Sequence, residues 1–446
     1  MSAKEKKDRK CREGGRLMSE RNRRRRTEDL QMSDRSRRRR DAYAPETYGN
    51  REQRARRPRP SGGKRRRTSK GRIPRPKGAM DYNLLTVIIF LVCFGLVMLY
   101  STSYYQAQLK FNDGFHYFKR QAIFSILSMG AMIFVSKFHY NLWKRFAALA
   151  YLAAVFSVLL LKTPLGQTRG GATRWIGITE SISFQPAELC KIAMIIFIPF
   201  MIEKMDRKAQ TLKGALLLIA LGGLVSFLIW KISDNMSSAI IIGGIAVAVV
   251  FIVSRRVWPY LLMGGLGAAG IAAFVHFVIS GMENSENFRF RRVIAWLNPE
   301  KYASDLAYQT MQALYAIGSG GLFGKGLGNS TQKMVLPEAQ NDMIFSIICE
   351  ELGIFGVCIV MVLFVMLLYR LLVIAENAPD LYSSLMVTGI FAHIAIQVVL
   401  NIAVVTNTIP NTGVTLPFIS YGGTSILFLM AEMGLALGVS RRIEWE

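Results

Sequence analysis

Asn411-Thr412-Gly413-Val414-Thr415-Leu416-Pro417-Phe418-Ile419-Ser420-Tyr421-Gly422-Gly423-Thr424-Ser425 is a polar stretch, punctuated by Gly and Pro, between two long apolar runs. The flanking runs are long enough to cross a bilayer, so the stretch reads as irregular backbone at a membrane face. Lipid offers no partner for a free N–H or C=O. Such backbone persists only where it packs on protein or lines a wet cavity, which marks it as a site.

Working outward, apolar runs of spanning length fall at about 83–102, 121–137, 145–161, 187–203, 214–230, 238–254, 257–279, 344–369, 383–405 and 424–440. Of the 446 residues, 51% are hydrophobic and only 19% charged, which excludes an ordinary soluble domain. The expected fold class is all-α, a polytopic membrane protein with about ten transmembrane helices. An even number of spans puts both termini on one side. The short loops holding Lys144-Arg145, Arg207-Lys208, Arg255-Arg256, Arg370 and Arg441-Arg442 then share that side, which the positive-inside rule makes cytoplasmic. Three segments are left outside, 162–186, a large loop over 280–343, and 406–423, and the unusual polar residues gather there. Loops so long are generally functional.

Residues 1–80 hold 30 Lys and Arg against 10 Asp and Glu, so the formal charge of +26 is mostly a property of this tail. Its runs Arg23–Arg26, Arg37–Arg40 and Arg65–Arg67 come with few aliphatic residues, too few to offset chain entropy. The tail is expected to be disordered, with residues 81–446 forming the membrane domain. Placed before a first span, it points to topology setting and anionic lipid rather than to nucleic acid. No apolar h-region lies before the tail's end, so a cleavable signal peptide is not expected. The five cysteines, Cys11, Cys93, Cys190, Cys349 and Cys358, have no paired spacing and indicate neither a disulfide framework nor a zinc site.

In the large loop, Arg289-Phe290-Arg291-Arg292 leads to Asn298-Pro299-Glu300 and then to Ser304-Asp305 before a helical apolar period that begins near Tyr308. Capping that helix is the competing role for Asp305. Six glycines between Gly318 and Gly328 surround Lys325. They do not make a nucleotide-binding P-loop, because Gly326 stands where Ser or Thr would hold magnesium. They suit either a nest of N–H groups for a pyrophosphate or a flexible loop. Glu350 and Glu351 lie inside a span, and acids at that depth need a partner or a wet cavity. Glu188 and Lys191, three apart on one helix face, can neutralise each other. His393 and Glu432 are polar groups suited to bonding between helices.

Taken together, Phe184-Gln185-Pro186-Ala187-Glu188-Leu189 with Lys191, Ala316-Ile317-Gly318-Ser319-Gly320-Gly321, Leu336-Pro337-Glu338-Ala339-Gln340-Asn341-Asp342 through Glu350-Glu351-Leu352-Gly353, and Leu416-Pro417-Phe418-Ile419-Ser420-Tyr421-Gly422-Gly423 resemble the SEDS family (shape, elongation, division and sporulation). The resemblance runs over about residues 80 to 442, in matching order and with the same ten-span layout. Leu336-Pro337-Glu338-Ala339 looks like the division, FtsW-type branch. Thr412 and Pro417-Phe418 lean towards the elongation, RodA-type branch.

The resemblance implies a peptidoglycan glycosyltransferase that polymerises lipid II outside the plasma membrane, with a class B penicillin-binding transpeptidase and the division or elongation machinery as partners. It also implies an essential acid in the large loop, commonly in an Asp-Pro pair. Here Tyr302 stands at that position and the nearest Asp, Asp305, is displaced by three residues, with Glu300 as runner-up. Arg292, Arg174 and Lys325 are candidates to neutralise the donor's phosphates. Glu338, Ser420, Tyr421, Gly422 and Gly423 complete the candidate substrate site. A divalent cation, Mg or Mn, held by carboxylate and phosphate oxygens would suit the same task, and no nucleotide cofactor is implied. A lipid II flippase is the competing class: it would move lipid between leaflets and make no polymer.

Overall fold

The computed structural model describes residues 80–169, 172–177, 183–281 and 288–444. These all lie in the compact unit Ile73–Glu446, and the basic tail, apart from its last residue, lies outside them. Ten long helices follow the apolar runs: α1 (Tyr82–Phe111), α2 (His116–Lys137), α3 (Tyr140–Leu160), α4 (Pro186–Met205), α5 (Leu212–Ser233), α6 (Met236–Val253), α7 (Trp258–Gly281), α10 (Ile344–Glu376), α11 (Leu381–Val405) and α12 (Gly423–Ser440). Two shorter helices, α8 (Phe288–Leu297) and α9 (Tyr308–Gly320), lie in the large loop. Their starts follow local chemistry: Asp81 accepts from the N–H groups of Asn83 and Leu84, Thr211 and Asn235 cap α5 and α6, and Asp380 forms a capping box with Ser383.

Among the described residues, nine helices are long and apolar enough to cross a membrane. The tenth, α4, has the length but carries Glu188, Lys191, Glu203 and Lys204. It tolerates them because it is enclosed, with Ile195, Ile198 and Ile202 buried against neighbouring helices. The opposite case is α7, fastened at its start by Tyr260, edge-on to Phe251 at 5.1 Å, while Leu261, Leu266 and Ile271 stand exposed.

α1 and α10 run antiparallel and fix the depth scale. Asp81 takes a bond from Arg370 Nε at 3.1 Å and donates its own N–H to Ser440 Oγ at 3.0 Å, joining three helices at one end. Twenty residues along α1, Ser101 donates to Glu351 at 2.7 Å. At 1.5 Å per residue that separation is about 30 Å, the thickness of a hydrocarbon core. Glu351 therefore sits at the far boundary, opposite Arg370.

Between these ends the eighth span is interrupted. Gly353 has φ 64° and ψ −160°, which divides α10 into a buried half-helix, 344–352, and a spanning part from 354 onward. The glycine-rich segment repairs the gap. Lys325 N–H and Gly326 N–H donate to the carbonyls of Glu350 and Glu351 at 2.9 Å, and the N–H groups of Ile354 and Phe355 donate to Gly321 O and Leu322 O at 3.1 and 3.2 Å. A side chain at Gly353 would meet Leu322 O at 2.5 Å, so the glycine is needed for both its φ and the close approach. This segment is neither a loose loop nor an open nest, because these N–H groups are spent on α10.

The segment 162–186 contains a three-stranded antiparallel sheet, β1 (Gly166–Arg169), β2 (Ala172–Gly177) and β3 (Ser183–Phe184), with β2 in the middle. Gly166 pairs with Ile176 and Gly177 with Ser183. The stretch 406–422 turns back into the bundle. It lies on α1 so closely that a Cβ at Gly95 would be 2.7 Å from Phe418 O. Side chains of α11 supply the missing partners: Asn401 Nδ2 donates to Val414 O at 2.7 Å and Gln397 Nε2 to Thr415 O at 3.0 Å.

Candidate functional site

Two loop segments, 288–343 and 406–422, meet at one end of the bundle. Trp296 Nε1 of α8 donates to Asn407 O at 2.9 Å, Asn411 Nδ2 donates to Gln309 Oε1 at 2.9 Å, and Tyr421 N–H donates to Gln340 O at 2.9 Å. The first two bonds lie in the wall of a cavity of about 280 Å³, lined also by Arg292, Asp305, Tyr308 and Pro337 among others. A second, smaller cavity of about 30 Å³ lies deeper, between Lys191, Gln397, Thr415, Tyr421 and Ser425.

Asp305 lies in the wall of the larger cavity with its side chain 65% exposed, and Arg291 Nη2 holds its Oδ2 at 3.0 Å. It is not a helix cap: α9 begins at Tyr308 behind Ala307, with no side-chain cap bond. The carboxylate therefore remains available to something in the cavity. Glu300 is exposed and outside the lining. Tyr302 packs against the small cluster of Ala295, Ala307 and Met311.

Arg292 also lines the larger cavity. It reaches the surface, yet lost solvation and, next, the charge of Arg174 hold its pKa below the ordinary guanidinium value, with Asp342 working in the other direction. Arg174, on β2, is likewise lowered by burial, donates from Nη2 to Asp234 O at 2.9 Å and keeps a buried Nε without a partner. Two crowded guanidinium groups form a field that favours an anion.

The other candidates are engaged differently. Lys325 Nζ is 2.6 Å from Glu350 Oε1, and that carboxylate also accepts from Ser330, from Thr331 and from the N–H of Gln332. Lys333 pairs with Glu351 at 3.2 Å. These pairs tie the 319–333 segment to the broken helix. Glu338 is exposed, has φ 54° and bonds Asn341. Ser420 Oγ accepts the N–H of Leu416 at 2.8 Å, which shapes the turn. Tyr421 lines the smaller cavity edge-on to Tyr117 at 5.1 Å, with burial raising its pKa. Gly422 N–H donates to Gln121 Oε1 at 3.3 Å and Gly423 opens α12.

Below the turn, a buried polar chain crosses three helices. Lys191 pairs with Glu188 at 2.8 Å and donates to Gln397 Oε1 at 3.4 Å, while His393 joins Gln397 at 2.8 Å and Glu432 at 2.6 Å. Sequence reading paired Glu188 with Lys191 and gave His393 and Glu432 to bonding between helices, as found; it missed Gln397, which joins the two pairs. Gln309, which bonds Asn411 and Asp342, was given no role there, and Asn411 and Asp342 were quoted only within longer motifs. No group of three or more His, Cys, Asp or Glu suited to a metal is gathered among the described residues.

Residues 82–444 match the family model for the cell cycle proteins FtsW, RodA and SpoVE. Stage V sporulation protein E of Bacillus subtilis (strain 168) is 38% identical, over 82% of this chain and 98% of its own length. The probable peptidoglycan glycosyltransferase FtsW of Geobacter metallireducens is 35% identical, over 82% and 95%. Among solved structures, a chain from work on the structural coordination of polymerization and crosslinking by a peptidoglycan synthase complex superposes with a TM-score of 0.67 at 25% identity, over 81% of this chain and 98% of that one. The rod shape determining protein RodA of Thermus thermophilus shares the fold, with a TM-score of 0.59 at 24% identity over 82% and 99%.

Proposed function

The chain belongs to the FtsW/RodA/SpoVE family, and we propose that it polymerises lipid II into glycan strands at the outer face of the plasma membrane. It is a multi-pass membrane protein and a peptidoglycan glycosyltransferase of the cell-division and cell-shape machinery. The observation that carries the finer reading is the cavity of about 280 Å³, which has Arg292 and Asp305 in one wall and lies just outside the helix ends.

Glycosyl transfer from a lipid pyrophosphate needs a base for the acceptor hydroxyl and positive charge for the departing pyrophosphate. Asp305 accepts the hydroxyl proton, and the bond from Arg291 at 3.0 Å aims its carboxylate until substrate arrives. Arg292, with Arg174 behind it, stabilises the leaving pyrophosphate. The acceptor oxygen bonds to the donor's anomeric carbon as the bond to pyrophosphate breaks, so one displacement inverts an α-linked donor into a β-glycoside. A divalent cation, when bound to one carboxylate and the pyrophosphate oxygens, would add further charge neutralisation.

The isoprenoid chains stay in lipid beside the exposed flanks of the helices. The arginine runs of the tail and the basic short loops favour cytoplasmic termini, with the tail against anionic lipid. A class B penicillin-binding transpeptidase is the partner that crosslinks the product, and the branch is FtsW-like. The test is polymer formation from lipid II by the purified chain, with and without that transpeptidase. Movement of lipid II between leaflets with no polymer under either condition would overturn the reading in favour of a flippase.

A further inference from the structure

α11 carries His393 and, one helical turn later, Gln397; both are buried, as are Glu432 of α12 and Lys191 of α4. Gln397 lines the smaller cavity with Glu188, Lys191 and Thr415, whereas His393 and Glu432 stand behind it and do not. The donors fix one arrangement. Gln397 Nε2 donates to Thr415 O at 3.0 Å, a carbonyl that can only accept, so the Oε1 end of the amide meets Lys191 Nζ at 3.4 Å and His393 Nε2 at 2.8 Å. His393 Nε2 must then carry a proton. Its Nδ1 is 2.6 Å from Glu432 Oε2, a contact between two lone pairs unless a second proton lies between them. The pair holds that proton either as imidazolium with carboxylate or as imidazole with carboxylic acid. It is net neutral in both forms, as Glu188 with Lys191 is, and neutrality is what buried groups inside apolar helices tolerate.

We propose that His393, held by Glu432, is a positioning residue for substrate binding: it fixes the Gln397 amide and, through it, the 411–425 turn against which lipid II binds. This rests on the polymerase reading of the site. Of the two bonds to Gln397 Oε1, the one from His393 is the shorter. Without it the amide is left to Lys191, whose ammonium is already engaged by Glu188 at 2.8 Å. Gln397 holds Thr415 O, and one residue earlier Asn401 holds Val414 O at 2.7 Å. Before these two anchors the turn carries Asn411 into the wall of the larger cavity, and after them it carries Ser420 and Tyr421 into that of the smaller. Irregular backbone keeps its shape only through such bonds, so a loose Gln397 is felt at both walls. The turn supplies neither the base nor the cation for the leaving group, and the loss falls on binding, not on the chemical step.

The test uses the full-length chain in micelles, with the Kd of lipid II and the rate of polymer formation at saturating lipid II measured on the same samples. His393→Leu with Glu432→Leu removes both polar groups together, and replacing a buried pair by apolar side chains of similar size often leaves stability unchanged or higher. The double variant should unfold no lower than the wild type. It should bind lipid II about fivefold more weakly, the low end of a coupling between two sites, and polymerise within about twofold of the wild-type rate once saturated. Glu432→Gln is the conservative rescue: its amide donates to Nδ1 while Nε2 keeps its proton, and the wild-type Kd should return. A stable double variant with the wild-type Kd, or a Kd raised equally in Glu432→Gln, overturns the proposal. Nitrogen NMR of a histidine-labelled chain with His116, His139 and His276 replaced reads the pair directly, even if the double variant fails to fold. A protonated Nε2 with a proton shared at Nδ1 is expected, and a bare Nε2 overturns the proposal. A Kd that shifts as expected in a chain making no polymer removes the polymerase reading alone, and polymer with an unshifted Kd removes the role of His393 alone.

Discussion

Replacing Lys325 with Met separates a cation that binds substrate from one that braces the fold. In the structure its ammonium is 2.6 Å from Glu350, whose carboxylate is fully buried, while the lysine side chain is 33% exposed. Removing one partner of a buried pair costs about 3–5 kcal/mol when the remaining charge is left bare. Glu350 is not left bare, since Ser330, Thr331 and the N–H of Gln332 still donate to it. The cost should therefore fall to about 1–3 kcal/mol, the penalty for an incompletely satisfied buried polar group. Thermal unfolding in detergent should show a lowered midpoint, and Lys325→Met with Glu350→Gln should lose less than the sum of the two single changes. The KM for lipid II should stay close to that of the wild type. An unchanged midpoint with a raised KM would refute the bracing role and return Lys325 to the phosphate site.

Asp305→Asn should leave folding and insertion intact, since the side chain is largely exposed, and should abolish polymer formation; normal polymerisation by the pure variant removes Asp305 as the base. Gly95→Leu should lower stability by about 1–3 kcal/mol through overpacking against Phe418 and Ile419, read as a fall in the unfolding midpoint. Asn401→Leu should cost about 1–3 kcal/mol, because it strands the carbonyls of Val414 and Asp342 in an apolar setting. For Asp342 the folded pKa is raised from 3.8 to about 7, so its contribution to stability is full below 3.8 and is lost as pH rises through 7. Asp342→Asn should therefore unfold at the same or a higher temperature than the wild type above pH 7, and a clear destabilisation there would contradict the raised pKa.

The spans were legible because a bilayer demands long apolar runs, and the 411–425 stretch stood out because its polarity interrupts two of them. The break at Gly353 was not legible: Glu350-Glu351-Leu352-Gly353 sits in a run whose apolar character continues on both sides, and one glycine within a helix pattern is common. Its partner, the 318–328 segment, was visible as a cluster of glycines, yet composition says nothing about which carbonyls those N–H groups reach. The sheet over 166–184 was missed because two- to six-residue strands leave too short an alternation to register. At the site, the motifs drew attention to Asp305 and Arg292. That Arg291 holds the first follows from a contact between residues 14 apart in the chain.

The interrupted eighth span also bears on biogenesis. A nascent chain emerges from the N-terminus, so residues 320–326 are synthesised before Ile344 and well before Gly353. The backbone groups that seal the break are thus already made when the fractured helix reaches the translocon, and the two can meet by a short local hairpin-like closure. A permuted chain that delivered the helix first would leave the amides of Ile354 and Phe355 without their carbonyl partners until the glycine-rich segment followed.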